Sequence, residues 1–192
     1  MANEHINVSV RLRPLNQDEA HIHDRVVLKK QPDGALLFTE SEDVSRSIPY
    51  SQVFDENASG QAVFDGVVAN MLEHALLGKN ATIFAYGQTG SGKTYTVDGL
   101  MSASAEFLFS SIVNTPGREF LLKLSAVEVY NEAVHDLLQK GDSSNTRLDL
   151  VDNKEGKTIV KNVAEETLLS TVHLQRMLRK VKENRKVLIR QL

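Results

Sequence analysis

The chain has 192 residues, 41% hydrophobic and 24% charged, enough for one folded domain with a sizeable core. Its net charge of −3 excludes a global basic field of the kind that binds nucleic acid or anionic membrane, and the absence of cysteine excludes disulfides and thiolate metal sites. No apolar stretch approaches the ~20 residues of a membrane span, and Met1 to Val10 lacks the basic start and apolar run of a secretory signal.

In chain order, Ile6, Val8, Val10 and Leu12 alternate with polar residues, the period of a half-buried strand. Pro14 stops it, having no donor for a ladder. Asn16 to Asp24 is polar and reads as a loop. Val26 to Leu28 and Ala35 to Thr39 read as short strands around the turn Pro32-Asp33-Gly34. Glu40 to Ser47 is a charged connector whose acids, Glu40, Glu42 and Asp43, read more simply as a solvated loop than as a metal site. The pair His21-x-His23 lacks the helical spacing of a metal motif.

Tyr50 to Asp55 is a further short strand, and Asn57 to Gly60 offers helix caps. Val63, Phe64, Val67, Val68, Met71, Leu72, Ala75 and Leu76 recur at helical spacing, which predicts a helix over Gln61 to Leu77 stopped at Gly78. Next comes an apolar run, Ala81 to Tyr86, predicted to be a buried strand. Gly87-Gln88-Thr89-Gly90-Ser91-Gly92-Lys93-Thr94 follows at once and fits G-x-x-x-x-G-K-[ST], the P-loop. Each residue type has a task there. Gly87, Gly90 and Gly92 let backbone N–H groups close around a phosphate, Lys93 places a charge on it, and Thr94 offers a hydroxyl to Mg²⁺. A helix predicted from about Lys93 adds its positive dipole end. A chance Gly/Ser/Thr-rich turn would not carry a strand before it and a helix after it.

After Gly99 the helix is expected to resume near Ser104 and to end around Thr115-Pro116-Gly117. Glu119 to Tyr130 reads as one long strand broken at Asn131-Glu132. Ala133 to Leu138 is either a strand or one helical turn. Gly141 to Thr146 reads as a polar loop. Leu148 to Val151 and Thr158 to Val163 read as strands joined through Asn153 to Gly156, and the chain is helical from about Thr171, with Leu174, Met177, Leu178, Val181 and Leu188 as its apolar stripe. From Gln175 to Leu192 there are seven basic residues against the single acid Glu183, more simply a solvated face than a membrane or acidic-protein site. No G-x-S-x-G or other nucleophile arrangement occurs.

A P-loop alone specifies a nucleoside triphosphate and leaves the machine open. Four stretches narrow it: V-S-V-R-L-R-P-L-N at Val8 to Asn16, V-F-D at Val53 to Asp55, N-A-T-I-F-A-Y-G-Q-T-G-S-G-K-T-Y-T at Asn80 to Thr96, and V-E-V-Y-N-E-A-V-H-D-L-L at Val127 to Leu138. In this order and spacing the chain resembles the kinesin motor domain from Ile6 to Val187. R-E-F-L-L-K-L-S-A-V-E-V-Y-N-E, E-E-T-L-L and E-N-R-K-V are most similar to the plant mitotic and cytokinetic branch related to centromere-associated kinesins. A P-loop enzyme of another class, such as a nucleotide kinase, leaves this register unexplained.

The resemblance implies an α/β P-loop NTPase fold, with a central mixed sheet flanked by helices, and residues 1–187 as a partial motor domain ahead of a divergent end at 188–192. It implies an ATP-binding microtubule motor of the cytoplasm and cytoskeleton, with ATP or ADP and Mg²⁺ as cofactors, microtubules as partner, and no nucleic-acid or membrane partner. Residues 87–94 are then the phosphate site and Thr94 the Mg²⁺ ligand. Arg11, Arg13, Pro14 and Tyr95 line the adenine, where a guanidinium, a proline face and an aromatic ring can stack on a purine. Tyr130, Asn131 and Glu132 are structural, and Gln139 to Lys161 resembles part of the microtubule contact. The family's switch motifs, N-x-x-S-S-R-S-H and D-x-x-G, occur nowhere between Met1 and Leu192. No catalytic residue is therefore assigned, and this copy is expected to be truncated, to lack the C-terminal strands and to be hydrolysis-defective, with weakened microtubule contact. The alternative is a non-motile regulatory fragment that binds nucleotide or microtubules. The implied sheet also leaves the strand at Ala81 to Tyr86 without neighbours from this chain.

Overall fold

The computed structural model describes residues 6–21, 25–41, 43–139 and 147–190, the last five without their side chains. His23, Glu42, the polar loop at 141–146 and the last two residues, 191–192, of the expected divergent end at 188–192 therefore lie outside the described residues. The chain divides into two compact units, residues 1–107 and 108–192.

The first unit opens with β1 (Ser9–Arg11), a short helix α1 (Gln17–His21) and three strands, β2 (Leu28–Lys30), β3 (Leu36–Thr39) and β4 (Ser45–Ile48). β2, β3 and β4 form one antiparallel sheet. β5 (Gln52–Phe54) then returns to pair in parallel with β1, Val10 opposite Val53. α1 replaces part of the predicted polar loop. It has no apolar stripe and is held at its start instead. The Glu19 N–H donates to Asn16 Oδ1 at 2.8 Å and the Asn16 N–H to Glu19 Oε2 at 2.9 Å, a reciprocal cap. β4 likewise replaces part of the predicted connector, with Ile48 opposite Leu36.

Ser59 Oγ accepts from the Ala62 N–H at 3.0 Å and caps α2 (Gly60–Val63). The helix continues through one π turn (Phe64–Val68) into α3 (Ala69–Leu76). The Ala69 N–H reaches back five residues to the Phe64 carbonyl. Phe54, Val63, Phe64 and Val68 are buried together with Leu100 of α4 (Lys93–Val113), and the rings of Phe64 and Phe107 meet at 5.8 Å, tilted by 57°. Gly99 does not interrupt α4 as predicted. A glycine inside a helix costs about 1 kcal/mol, and burying Leu100 one residue later is worth about 1.5–3 kcal/mol.

Ala81 to Tyr86 departs from the prediction of a buried strand. None of its residues joins a ladder among the described residues, and Ile83, Phe84 and Tyr86 are exposed, Tyr86 at 96%. A strand exists only with a neighbour to accept its N–H groups and donate to its carbonyls, and among the described residues this stretch has none.

In the second unit the predicted long strand is two, β6 (Lys123–Leu124) and β7 (Val127–Tyr130), with different partners. β7 pairs with β8 (Ala133–Asp136), so Ala133 to Leu138 begins as a strand, and β8 pairs with β9 (Arg147–Leu148). β10 (Leu150–Asp152) pairs with β11 (Thr158–Val160), and β12 (Glu166–Thr167), which no prediction covers, pairs with β6. The predicted central mixed sheet is thus, among the described residues, five small sheets of two or three strands.

The β7–β8 hairpin closes through two residues, Asn131 (φ 46°) and Glu132 (φ 61°), the left-handed pair that a tight hairpin turn requires. These residues are structural, as the resemblance implies. Ser170 caps α5 (Thr171–Arg190), accepting from the His173 N–H at 3.1 Å. Leu174 and Met177 of α5 are buried, as are Val134, Leu137, Leu138 and Leu168 of this unit. Asp136 is buried among them and needs partners. Its carboxylate accepts from the N–H groups of Leu138 at 2.8 Å and Ala164 at 2.7 Å, and from Gln139 Nε2 at 3.1 Å.

Candidate functional site

The loop at residues 87–94 has the backbone its sequence demands. Gly87, Gly90 and Gly92 have φ of 154°, 82° and 94°, which strain any residue with a side chain, and a Cβ on Gly87 would lie 2.6 Å from Ser91 Oγ. The Ser91 N–H closes the loop onto the Gln88 carbonyl at 3.2 Å. α4 starts directly behind it. The Thr96 N–H bonds back to the Gly92 carbonyl at 2.9 Å, and the N–H groups of Lys93, Thr94 and Tyr95 precede that bond at the positive end of the helix.

The Lys93 ammonium folds back onto the loop and donates to the carbonyls of Gly87 at 2.7 Å and Gln88 at 2.8 Å. Thr94 is exposed in the first turn of α4. N–H groups at a helix start, a glycine-walled loop, an ammonium and a hydroxyl form a donor set that fits a polyphosphate with its divalent cation. Among the described residues no cluster of His, Asp or Glu could hold a metal by itself. Glu40 of the charged connector is paired with Arg46 at 3.0 Å.

Of the four predicted adenine contacts, the structure brings two together. The Arg11 guanidinium lies over the Tyr95 ring, 5.0 Å from its centre. It is fixed there by donating to Thr96 Oγ1 at 3.2 Å and to the Ala58 carbonyl at 3.1 Å. β1 is thereby tied to the first turn of α4 and to the loop before α2. Arg13 turns to its own loop, where Nη1 donates to Glu19 Oε2 at 2.7 Å and to the Pro14 carbonyl at 2.9 Å, and Nη2 donates to Glu19 Oε1. The hydrogen bond from Arg13, then that from the Asn16 N–H, lowers the Glu19 carboxyl to a pKa of about 2. Pro14 is exposed beside them.

Sequence reasoning missed Glu19, Asn16, Thr96 and the Ala58 carbonyl. The first two were signalled by N-x-x-E spacing, the pattern of a reciprocal helix cap. One cation of the basic face of α5 is paired within the chain. Arg185 Nε donates to Glu128 Oε1 at 2.9 Å, and Asn184 Nδ2 donates to the Leu137 carbonyl at 2.8 Å. Among the described residues no helix is long and apolar enough to cross a membrane.

A family model described as the kinesin motor domain matches residues 11–191. The kinesin-like protein NACK1 of Nicotiana tabacum is 37% identical over 91% of this chain and 19% of its own length. KIN-7B of Arabidopsis thaliana is 38% identical over 96% of this chain and 20% of its own, and KIN-7J of Oryza sativa subsp. japonica is 41% identical over 91% and 20%. The backbone matches a solved fast kinesin, in a study of its ATPase mechanism and interactions with microtubules, with a TM-score of 0.85 and 27% identity, covering 95% of this chain and 53% of that one. The chain thus spans about a fifth of the length of these curated relatives and about half of the solved chain. An α/β chain with a P-loop opening onto a long helix, matched by this family model over almost all of its length, belongs to the kinesin motor domain family.

Proposed function

We propose that this chain forms the nucleotide-holding part of an ATP-dependent microtubule motor. The observation that carries the reading is the P-loop at the start of α4 with the Arg11–Tyr95 stack beside it, tied to the same helix turn through Thr96. The N–H groups of residues 87–94 and the Lys93 ammonium hold the β- and γ-phosphates of ATP or ADP, and the Thr94 hydroxyl supplies a ligand to Mg²⁺. The ion, when bound, neutralises charge on the phosphate oxygens. Arg11 and Tyr95 offer flat faces to the adenine, with Arg13 and Pro14 at its margin. Microtubules are the partner, and the cytoplasm and its cytoskeleton the setting.

Hydrolysis also needs a positioned water and stabilisation of the charge that develops on the γ-phosphate. The family motifs for these tasks do not occur in the 192 residues, and this favours a second reading. Taken as a polypeptide of residues 1–192, the chain holds nucleotide, or associates with microtubules, without turnover. On this reading residues 1–187 are the motor portion and 188–192 a divergent end.

Calorimetry with Mg·ADP tests the site. Lys93→Ala removes a charge-assisted contact and should weaken binding about 10- to 150-fold. Unchanged affinity would move the site elsewhere. Phosphate release by the same polypeptide, with and without polymerised tubulin, separates the two readings. Stimulated release that disappears with Lys93→Ala would establish the motor reading for these residues alone.

A further inference from the structure

Arg13 differs from the other proposed adenine contacts in being bound by its own loop. Three of its hydrogen bonds run to Glu19 and to the Pro14 carbonyl, and Glu19 in turn closes the cap with Asn16. Residues 13–19 therefore form a closed clamp just beyond the end of β1, beginning two residues after Arg11 of the Arg11–Tyr95 stack along the chain. A mobile arginine here would keep its full charge free to pair with an anion. One that is neutralised and fixed through its edge keeps only its flat face to offer, and a guanidinium stacks on a ring through that face.

We propose that Glu19 is a positioning residue for the purine subsite, holding Arg13 as a fixed planar platform next to Pro14 and withholding its charge from the phosphates. This rests on the nucleotide-binding reading above. Glu19 touches no ligand itself. It acts through Arg13. A carboxylate is required because only two acceptor oxygens on one planar group match both guanidinium nitrogens while one of them also receives the Asn16 N–H.

The test compares Mg·ADP with Mg·pyrophosphate, which has the phosphates and no base. Affinities are measured by calorimetry on the 192-residue chain, Glu19→Gln and Asn16→Ala. The unaltered chain should bind Mg·ADP more tightly than Mg·pyrophosphate. Glu19→Gln should reduce that preference by about tenfold, the order of one stacking contact, and leave Mg·pyrophosphate affinity unchanged or raised. Asn16→Ala, which removes the side-chain half of the cap and spares the ion pair, should keep most of the preference. Loss of equal size in Asn16→Ala would reduce Glu19 to a loop-ordering role and overturn the proposal. A Glu19→Gln variant with its full preference would overturn it while leaving the base site intact. Equal affinity of the unaltered chain for both ligands would instead overturn the base-site reading and the proposal with it. Ligand-free NMR of the Arg13 guanidinium gives a second measurement. Its N–H signals should be resolved in the unaltered chain and averaged in Glu19→Gln, and averaging in both would show that no clamp exists.

Discussion

β5 and the stretch before the P-loop carry the same kind of sequence and have opposite fates. Val53 and Phe54 are 1% and 6% exposed, both paired with β1, and Phe54 packs with the π turn and α4. Phe84 is 81% exposed, in a stretch equally rich in β-formers that has no ladder among the described residues. Apolar character makes a strand possible, but a neighbouring strand makes it real. Each backbone N–H and C=O removed from water needs a partner, and an unmade bond costs about 1–3 kcal/mol.

Hydrogen exchange should show this contrast most strongly. The ladder-bonded amides of β1 and β5 exchange only through opening of the packed unit, whereas those of Ala81 to Tyr86 need no opening at all. For a domain stability of even ~5 kcal/mol the two rates should differ by about 10³-fold or more. Equal protection would break the comparison and show that the stretch has found a partner.

Truncation is the next largest effect. Phe64→Ala empties a site bounded by Phe54, Leu100 and Phe107 and should cost about 3–5 kcal/mol in denaturant unfolding. Phe84→Ala should stay within about 0.5 kcal/mol, the range for exposed positions. A large loss at Phe84 would mean that its side chain is covered in solution.

The clamp beyond β1 gives a pH signature. Glu19 is held at a pKa of about 2, by Arg13 first, against an ordinary value of about 4.3. Because the folded value is the lower, the clamp contributes its full stability above the ordinary value. That contribution fades as pH falls from there toward 2. Carboxyl NMR of Glu19 should therefore show a midpoint far below that of an exposed, unpaired glutamate, and Arg13→Ala should bring it back.

The smallest effect lies in the β7–β8 hairpin. There the turn sets the register while Val127 and Val129 of the outer strand remain exposed. Glu132 occupies a left-handed conformation that costs a side-chain-bearing residue about 1–2 kcal/mol, and glycine costs about 0.4–1 kcal/mol more to order from the unfolded chain. Glu132→Gly should thus stabilise the chain by roughly 0.5 kcal/mol, measured by thermal unfolding.

Local signals were legible in the sequence. The P-loop, the cap at Ser59, the hairpin break at Asn131-Glu132 and the start of α5 each depend on a few adjacent residues. What escaped was whatever distant partners decide. α1 has no apolar period and exists through Asn16 and Glu19. The stretch from Glu119 to Tyr130 reads as one strand but divides because β6 and β7 pair with different strands. At the site, the motif located the glycine-walled loop and the start of α4 behind it. No pattern could say that Arg11 would lie over Tyr95 while Arg13 turned to Glu19, since that choice depends on which acceptors the folded chain presents.

The position of Lys93 has a consequence for which anions the loop retains. A bare ammonium beside a row of N–H groups would hold any small anion of the cell. Here the ammonium already has two carbonyl acceptors, so an arriving ion gains only the excess of its own oxygens over those dipoles. For chloride or a lone carboxylate that excess is small. Linked phosphates can meet the N–H row and the ammonium together, and for them it is large. On the proposed nucleotide-binding reading, the carbonyls of Gly87 and Gln88 are thus acceptors that a ligand must outcompete, which linked phosphates do more readily than simpler ions.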